Sequence, residues 1–218
     1  MFWLVCKVSV VTTTWNEREN VKRLIYVLRD VLRDIPHEII VVDDDSPDGT
    51  FDVARSLADV AVKKRREGQS KGLLYGMKLA KNPIIITIDA DLENDPRHIG
   101  RLVAEMEHYD LVVASRSWLP RLSERISSKI LGRILSVRDV FSNFRAYRRE
   151  IVSSFNLRGG ETFGAEFLVI AKKKGFRIGE IFYEPPSRRD DPRIGGKLRA
   201  NLRIFWALIK SLAIYLFT

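Results

Sequence analysis

One cysteine in 218 residues, Cys6, excludes an intramolecular disulfide and fits a reducing compartment. Lying among apolar neighbours, it reads as a core thiol and not as a nucleophile. The three histidines, His37, His98 and His108, stand in helix or turn contexts with no cysteine or histidine at ligand spacing, which argues against a zinc site. Residues 1–7 are too short an apolar run for a secretory signal, so the expected setting is the cytosolic side. No segment reaches the ~20 apolar residues of a spanning helix. The longest candidate begins at Ile204 and covers roughly 22 Å at 1.5 Å per residue, against a hydrocarbon core of about 30 Å. It therefore reads as an interfacial helix or the start of a spanning one. Internal repeats and low-complexity tracts are also missing.

Acidic residues are in deficit, 28 against 37 lysines and arginines, for a net charge of +9. The excess is uneven: the segment 185–218 holds seven basic residues (Arg188, Arg189, Arg193, Lys197, Arg199, Arg203, Lys210) and only Asp190 and Asp191 as acids. A basic surface attracts nucleic acid, anionic lipid or phosphorylated substrates, and charge alone does not choose among them. Apolar content of 45% with 30% charged residues is that of a folded chain, so global disorder is excluded.

The first half alternates two patterns. Valine- and isoleucine-rich runs at 8–12, 38–44, 83–91 and 110–116, with a weaker one at 59–63, read as strands. Val21, Leu24, Ile25, Leu28, Val31 and Leu32 keep helical spacing, as do 73–80 and 99–106. Such alternation predicts an α/β fold with a mostly parallel, doubly wound sheet, whose ligands lie beyond the carboxyl ends of the strands. Polar clusters stand at those ends: 12–17, 43–48, 89–91 and Ser115-Arg116. In the second half, 121–135 reads as a basic amphipathic helix, 163–174 as a helix, 177–183 as a strand and 185–196 as a loop. The expected division is a catalytic domain over 1–197 and a C-terminal amphipathic or membrane-associating helix over 198–218.

The chemistry concentrates in Ile88-Asp89-Ala90-Asp91-Leu92-Glu93. Carboxylates one residue apart at a strand end lie on one face, and two hard oxygen ligands suit Mg²⁺ or Mn²⁺ bridging a diphosphate. The alternative is a solvated turn; the position after the apolar run 84–88 favours the site. Val42-Asp43-Asp44-Asp45-Ser46-Pro47-Asp48-Gly49-Thr50 combines a strand end with ordinary helix-start chemistry. A nucleic-acid-binding domain would account for the charge but not for carboxylates at the ligand edge. A nucleotidyltransferase would carry a Gly-rich basic turn after the first strand, where 12–17 has none.

Trp15-Asn16-Glu17-Arg18-Glu19-Asn20-Val21, Asp43-Asp44-Asp45-Ser46-Pro47-Asp48-Gly49-Thr50, Lys71-Gly72-Leu73, Asp89-Ala90-Asp91-Leu92, Ser115-Arg116 and Asp139-x-x-Ser142 follow one another as in dolichol-phosphate mannose synthases. The chain resembles that group, within the inverting family-two glycosyltransferases of the A-type fold, over nearly its whole length. The resemblance implies transfer of a hexose, mannose from GDP-mannose favoured, to a polyprenyl or dolichyl phosphate. Glucose from UDP-glucose and a hydroxyl acceptor are the alternatives. By the same resemblance Thr13, Trp15, Glu17, Lys71 and one of the pair Asp43 and Asp44 line the nucleotide pocket. Asp89 and Asp91 bind metal and diphosphate, with Glu93 beside them. Arg116 and Arg125 receive the acceptor phosphate. Arg189, Arg193 and Lys197 belong to a loop that closes over the donor. Thr13, Asn143 and Gly196 stand where relatives have Pro, Gly and Ser. The implied partners are a nucleotide-sugar, a lipid phosphate, a membrane surface on its cytoplasmic face and a separate small membrane subunit, with no nucleic acid. Glu166 is the best candidate for a base toward a hydroxyl acceptor. The absence of Gln-x-x-Arg-Trp, the signature of polysaccharide-forming relatives, assigns it instead to ordering basic side chains.

Overall fold

The computed structural model describes residues 7–158, 160–185 and 196–217, the side chains of 196–200 excepted. Seven strands form one sheet in the order β3-β2-β1-β4-β6-β5-β7. They are β1 (Val8–Thr14), β2 (His37–Asp43), β3 (Val60–Lys63), β4 (Ile84–Thr87), β5 (Leu111–Arg116), β6 (Arg145–Arg148) and β7 (Ile178–Tyr183). All neighbours run parallel except β6, which is antiparallel to both β4 and β5. The five strand runs of the first half, with 177–183, supply every strand but β6. Strand β1 pairs with β2 on one side and β4 on the other, so the chain reverses its winding there. This switch point is where an open α/β sheet leaves a crevice.

Alternation along the strands builds two cores. Val10, Ile39, Val41 and Ile86 face one way, onto Val21, Leu24, Ile25 and Leu28 of helix α1 (Arg18–Val31). Helices α2 (Thr50–Leu57) and α4 (Ile99–Glu105) complete that layer through Ala54, Ile99 and Leu102. Val11, Ile40, Val42 and Ile85 face the other way, onto α3 (Gln69–Leu79), α6 (Arg133–Leu135) and α7 (Ala165–Lys173). The expected helix over 121–135 is broken into α5 (Leu122–Ser127), a π-turn (Ser128–Gly132) and α6.

Helix α8 (Gly196–Phe217) lies on this second layer with Ile204, Ala207, Leu208 and Ser211 buried. Its other side leaves Leu202, Phe205, Trp206 and Ile209 exposed beside Arg203 and Lys210. Among the described residues no helix is long and apolar enough to cross a membrane.

Helix α3 approaches the sheet closely because it has glycine at the contact. A β-carbon at Gly76 would stand 2.5 Å from Val11 Cγ1 and 3.0 Å from Val42 Cγ2. Both valines are β-branched and fixed in strands, so neither side chain can rotate away. Overpacking at the upper end of about 1–3 kcal/mol exceeds the roughly 1 kcal/mol that alanine gains over glycine in a helix. Gly76→Ala is therefore expected to lower the urea midpoint at unchanged m-value. An unchanged midpoint would mean that α3 can shift off the sheet.

Candidate functional site

The loops after β1 and β2 are latched together by polar groups that the sequence places at strand ends. Ser46 Oγ accepts from the Asn16 amide (2.9 Å) and Thr50 Oγ1 from the Glu17 amide (3.0 Å). Asp43, fully buried, accepts from Thr14 Oγ1 (3.0 Å), Ser46 Oγ (2.6 Å) and the Ser46 amide (2.8 Å). Asp43 is thereby engaged in bracing the ends of β1 and β2 and the turn at Ser46. Asp44 accepts from Lys64 Nζ (2.8 Å) and the Gly68 amide (3.2 Å).

Thr13 and Asp44 meet the first turn of α3. A β-carbon at Gly72 would lie 2.7 Å from Thr13 Cγ2 and 3.8 Å from Asp44 Oδ1. Glycine there keeps this wall concave. Glu17 accepts from Asn20 Nδ2 (2.7 Å), Lys71 pairs with Glu67 (3.2 Å), and Trp15 is 41% exposed beneath the Arg66 guanidinium.

Asp89 stands just beyond β4 and is joined to this wall by Gln69 of α3, whose Nε2 donates to Asp89 Oδ1 (2.5 Å). Asn94 Nδ2 donates to its other oxygen (3.2 Å). Asp91 Oδ1 accepts from the Glu93 amide (3.0 Å) across Leu92, whose φ of 60° tightens the turn. Burial, and then the charges of Asp91 and Glu93, push the Asp89 carboxyl up to about 7, against a smaller pull from Arg116. Mutually repelling carboxylates at a strand end can be relieved by a cation. Among the described residues no three acidic, histidine or cysteine side chains gather where they could hold a metal ion, so Glu93 is not brought together with Asp89 and Asp91 as a three-ligand set. An ion at the Asp89 and Asp91 pair would need substrate phosphates to complete its shell.

Arg116 ends β5 on the far side of Asp89. Its Nε and Nη2 donate to the two Asp139 oxygens (2.6 and 3.2 Å), and Nη2 also reaches Glu124 (3.4 Å). Burial alone would favour loss of its proton. The carboxylates of Asp139 and then Glu124 outweigh that and hold it firmly charged. Ser115 Oγ donates to Glu180 and accepts from the Asp139 amide (3.2 Å), fixing the other end of the clamp. Tyr183 donates to Asn94 Oδ1, tying β7 to the residue that holds Asp89; burial raises its phenol pKa above the usual value.

Arg125 occupies different ground. It lines a cavity of about 230 Å³ with Trp118, Leu119, Ser128, Lys129 and Arg138, and its Nε is fixed on the Leu119 carbonyl (3.0 Å). Three cations and no acid line this cavity, whereas Arg116 is held in a clamp of acids. The two arginines expected to act together are therefore in unlike surroundings. Glu166, also fully buried, accepts from the Arg158 amide (2.6 Å). Arg189 and Arg193 lie outside the described residues, as does the side chain of Lys197. Gln69, Asn94, Glu124 and Tyr183 were not foreseen. Asp139 was marked only by its motif.

A family model described as glycosyl transferase family 2 matches residues 9–156. A dolichol-phosphate mannosyltransferase from Pyrococcus furiosus is 30% identical over 94% of this chain and 64% of its own length. An undecaprenyl-phosphate 4-deoxy-4-formamido-L-arabinose transferase from Serratia proteamaculans is 33% identical over 68% of this chain. The chain thus spans under two thirds of the first relative and about half of the second. Among solved structures, glucosyl-3-phosphoglycerate synthase from Mycobacterium tuberculosis, crystallised with Mn²⁺, uridine diphosphate and glucosyl-3-phosphoglycerate, superposes with a TM-score of 0.78. That match has 18% identity and covers 97% of this chain and 80% of that one. Mannosyl-3-phosphoglycerate synthase from Rubrobacter xylanophilus gives 0.76 at 18% identity, over 95% and 73%. At such identity the likeness shows the fold, the A-type glycosyltransferase fold.

Proposed function

The chain belongs to glycosyl transferase family 2, and on that footing we propose that it moves a hexose from a nucleotide-sugar, GDP-mannose favoured, to the phosphate of a polyprenyl or dolichyl chain. The observation that carries this reading is the open pair Asp89 and Asp91 at the crevice beside β1 and β4. A nucleotide wall lies on one side of it, and an acid-free basic cavity is present on the same chain.

Mg²⁺ or Mn²⁺ bound at Asp89 and Asp91 would neutralise the charge that builds on the departing nucleoside diphosphate. Thr13, Asp44 and the first turn of α3 position the nucleotide. Arg125, with Lys129 and Arg138, receives the acceptor phosphate, whose second pKa near 6 makes it an anionic nucleophile at neutral pH. One phosphate oxygen attacks the anomeric carbon from the face opposite the diphosphate, the glycosidic C–O bond breaks, and the configuration inverts. No side chain has to remove a proton, so positioning and charge dominate. The exposed apolar face of α8, with Arg203 and Lys210, would rest on the cytoplasmic leaflet and bring the cavity to its lipid.

The test supplies GDP-mannose or UDP-glucose with Mg²⁺ or Mn²⁺ and a short-chain polyprenyl phosphate. The expected products are a glycosyl-phospholipid and a free nucleoside diphosphate. Transfer only to hydroxyl acceptors would overturn the reading. Within the same assay Arg125→Ala should raise KM for the lipid phosphate roughly ten- to a hundredfold, the loss of one charge-assisted contact. Nucleotide affinity should stay within about twofold.

A further inference from the structure

Both oxygens of Asp89 are gripped by carboxamides. Gln69 Nε2 donates to Oδ1 (2.5 Å) and Asn94 Nδ2 to Oδ2 (3.2 Å). An ionised carboxylate has two lone pairs on each oxygen, so each keeps one for a cation. The donors are also neutral. They orient the group without the charge by which a lysine or arginine in contact with it would repel an ion.

Gln69 reaches Asp89 from a helix seated on the sheet, but Asn94 reaches it from a loop. Residues 88–95 run between β4 and the short helical turn Pro96–His98, with Leu92 in the left-handed region. What steadies Asn94 is the Tyr183 hydroxyl, which donates to its Oδ1. The Tyr183 ring is buried, tilted against His98 (centroids 5.0 Å) and edge-on to Phe144 (6.2 Å). Its backbone ends β7, in register with Arg116 of β5, so the hydroxyl is fixed to the sheet. It also sets which way round the Asn94 amide sits. An ionised Asp89 only accepts, so Nδ2 must face it and Oδ1 is left needing a donor. Without the phenol that oxygen is buried and unpaired, and the amide gains by turning away toward water, releasing Asp89.

Resting on the reading of Asp89 and Asp91 as a cation pair shared with a diphosphate, we propose that Tyr183 is a positioning residue for that pair. Acting through Asn94, it holds Asp89 in the orientation that receives Mg²⁺ or Mn²⁺. Among the described residues Tyr183 makes no hydrogen bond to Asp89 or Asp91. It therefore governs how tightly the ion is held and not what the bound ion does. Losing an outer partner of a metal ligand typically costs about ten- to a hundredfold in metal affinity. Because Tyr183 works through Asn94, the effects of removing the two should not add.

The probe is Mn²⁺, titrated into the full chain at fixed GDP and, separately, at fixed UDP. The readout is the Mn²⁺ concentration that gives half-maximal nucleotide binding in equilibrium dialysis. Tyr183→Phe keeps the ring against His98 and Phe144 and deletes only the hydroxyl. It should raise that concentration about ten- to a hundredfold, as should Asn94→Ala. The double variant should rise no further than Asn94→Ala alone. In the transfer assay Tyr183→Phe should raise KM for Mn²⁺ by the same factor, while kcat at saturating Mn²⁺ stays within about threefold. Wild-type Mn²⁺ dependence in Tyr183→Phe, whatever its melting temperature, would make the tyrosine merely structural and overturn the proposal. So would losses that multiply in the double variant. Either result leaves the cation reading standing. A wild type whose nucleotide binding ignores Mn²⁺, or an Asp89→Asn variant that keeps the wild-type Mn²⁺ dependence, overturns both. Were Tyr183→Phe not to fold, Asn94→Ala carries the test in the same direction, and an unchanged Mn²⁺ dependence there overturns the proposal.

Discussion

Asp91→Asn should yield a folded protein whose affinity for nucleoside diphosphates no longer responds to Mg²⁺ or Mn²⁺ and whose transfer rate falls by about 10²–10³-fold. That is the size of effect expected when a group stabilising developing charge is removed. The substitution is nearly isosteric, and its side-chain carbonyl can still accept from the Glu93 amide, so the turn through Leu92 is kept. What changes is the field at Asp89. That carboxyl sits near 7 because of burial and the charges of Asp91 and Glu93. Losing the Asp91 charge should bring it down.

The sign for stability follows from linkage. An acid whose folded pKa is raised above the unfolded value costs stability, a cost absent below the unfolded value near 4 and complete above about 7. Without metal, Asp91→Asn should therefore melt no lower than the wild type at pH 8, with any advantage gone by pH 4. In the wild type, GDP should raise Tm strongly only when Mg²⁺ or Mn²⁺ is present. Equal stabilisation by GDP in excess chelator would remove the cation from the site.

How much of this could be read from residues alone depends on the range of the interactions. Strands β1, β2, β4 and β5 announce themselves because valine and isoleucine runs are local signals, and Asp89 follows directly from its place after residues 84–88. Strand β6 is invisible by that route. Arg145-Ala-Tyr-Arg148 has a charge at each end and no apolar run. It belongs in the sheet only because the Arg145 guanidinium, fully buried, finds the carbonyls of Gly164 (2.7 Å) and Val140 (3.0 Å). Those partners are supplied by the tertiary fold. Asp43 and Asp44 look alike in sequence, and only the folded turn shows that Asp43 is held by Thr14 and Ser46 while Asp44 is held by Lys64 and the Gly68 amide. Tyr183 meets Asn94 across 89 positions of chain, a pairing that no spacing rule anticipates. Arg116 was legible as a strand-end cation, but the acids that clamp it were not.

That clamp makes Arg116→Ala the substitution with the largest expected effect on stability. Asp139 is 1% and Glu124 4% exposed at the side chain, so removing the guanidinium leaves Asp139 charged, buried and without its bidentate partner. Breaking a buried pair from one side costs about 3–5 kcal/mol, and in a domain of this size each kcal/mol lowers Tm by roughly 2–4 °C. A fall of about 6–20 °C is therefore expected. Glu124 is partly protected because Arg121 also holds it (3.0 Å). Arg116→Lys should restore charge but not the two-point grip, recovering part of the loss. The double variant Arg116→Ala with Asp139→Asn should melt well above the single alanine variant, and with the Asp139→Asn single variant the cycle gives the coupling energy of the pair. The same double variant separates structure from acceptor binding. Nη1 of Arg116 has no partner among the described residues, so the side chain can hold its clamp and still offer a donor pair to a phosphate. If it does, the double variant, once stable enough to assay, should still bind lipid phosphate about tenfold more weakly than the wild type. Wild-type affinity in that variant would confine Arg116 to the scaffold and leave acceptor recognition to Arg125 and its cavity.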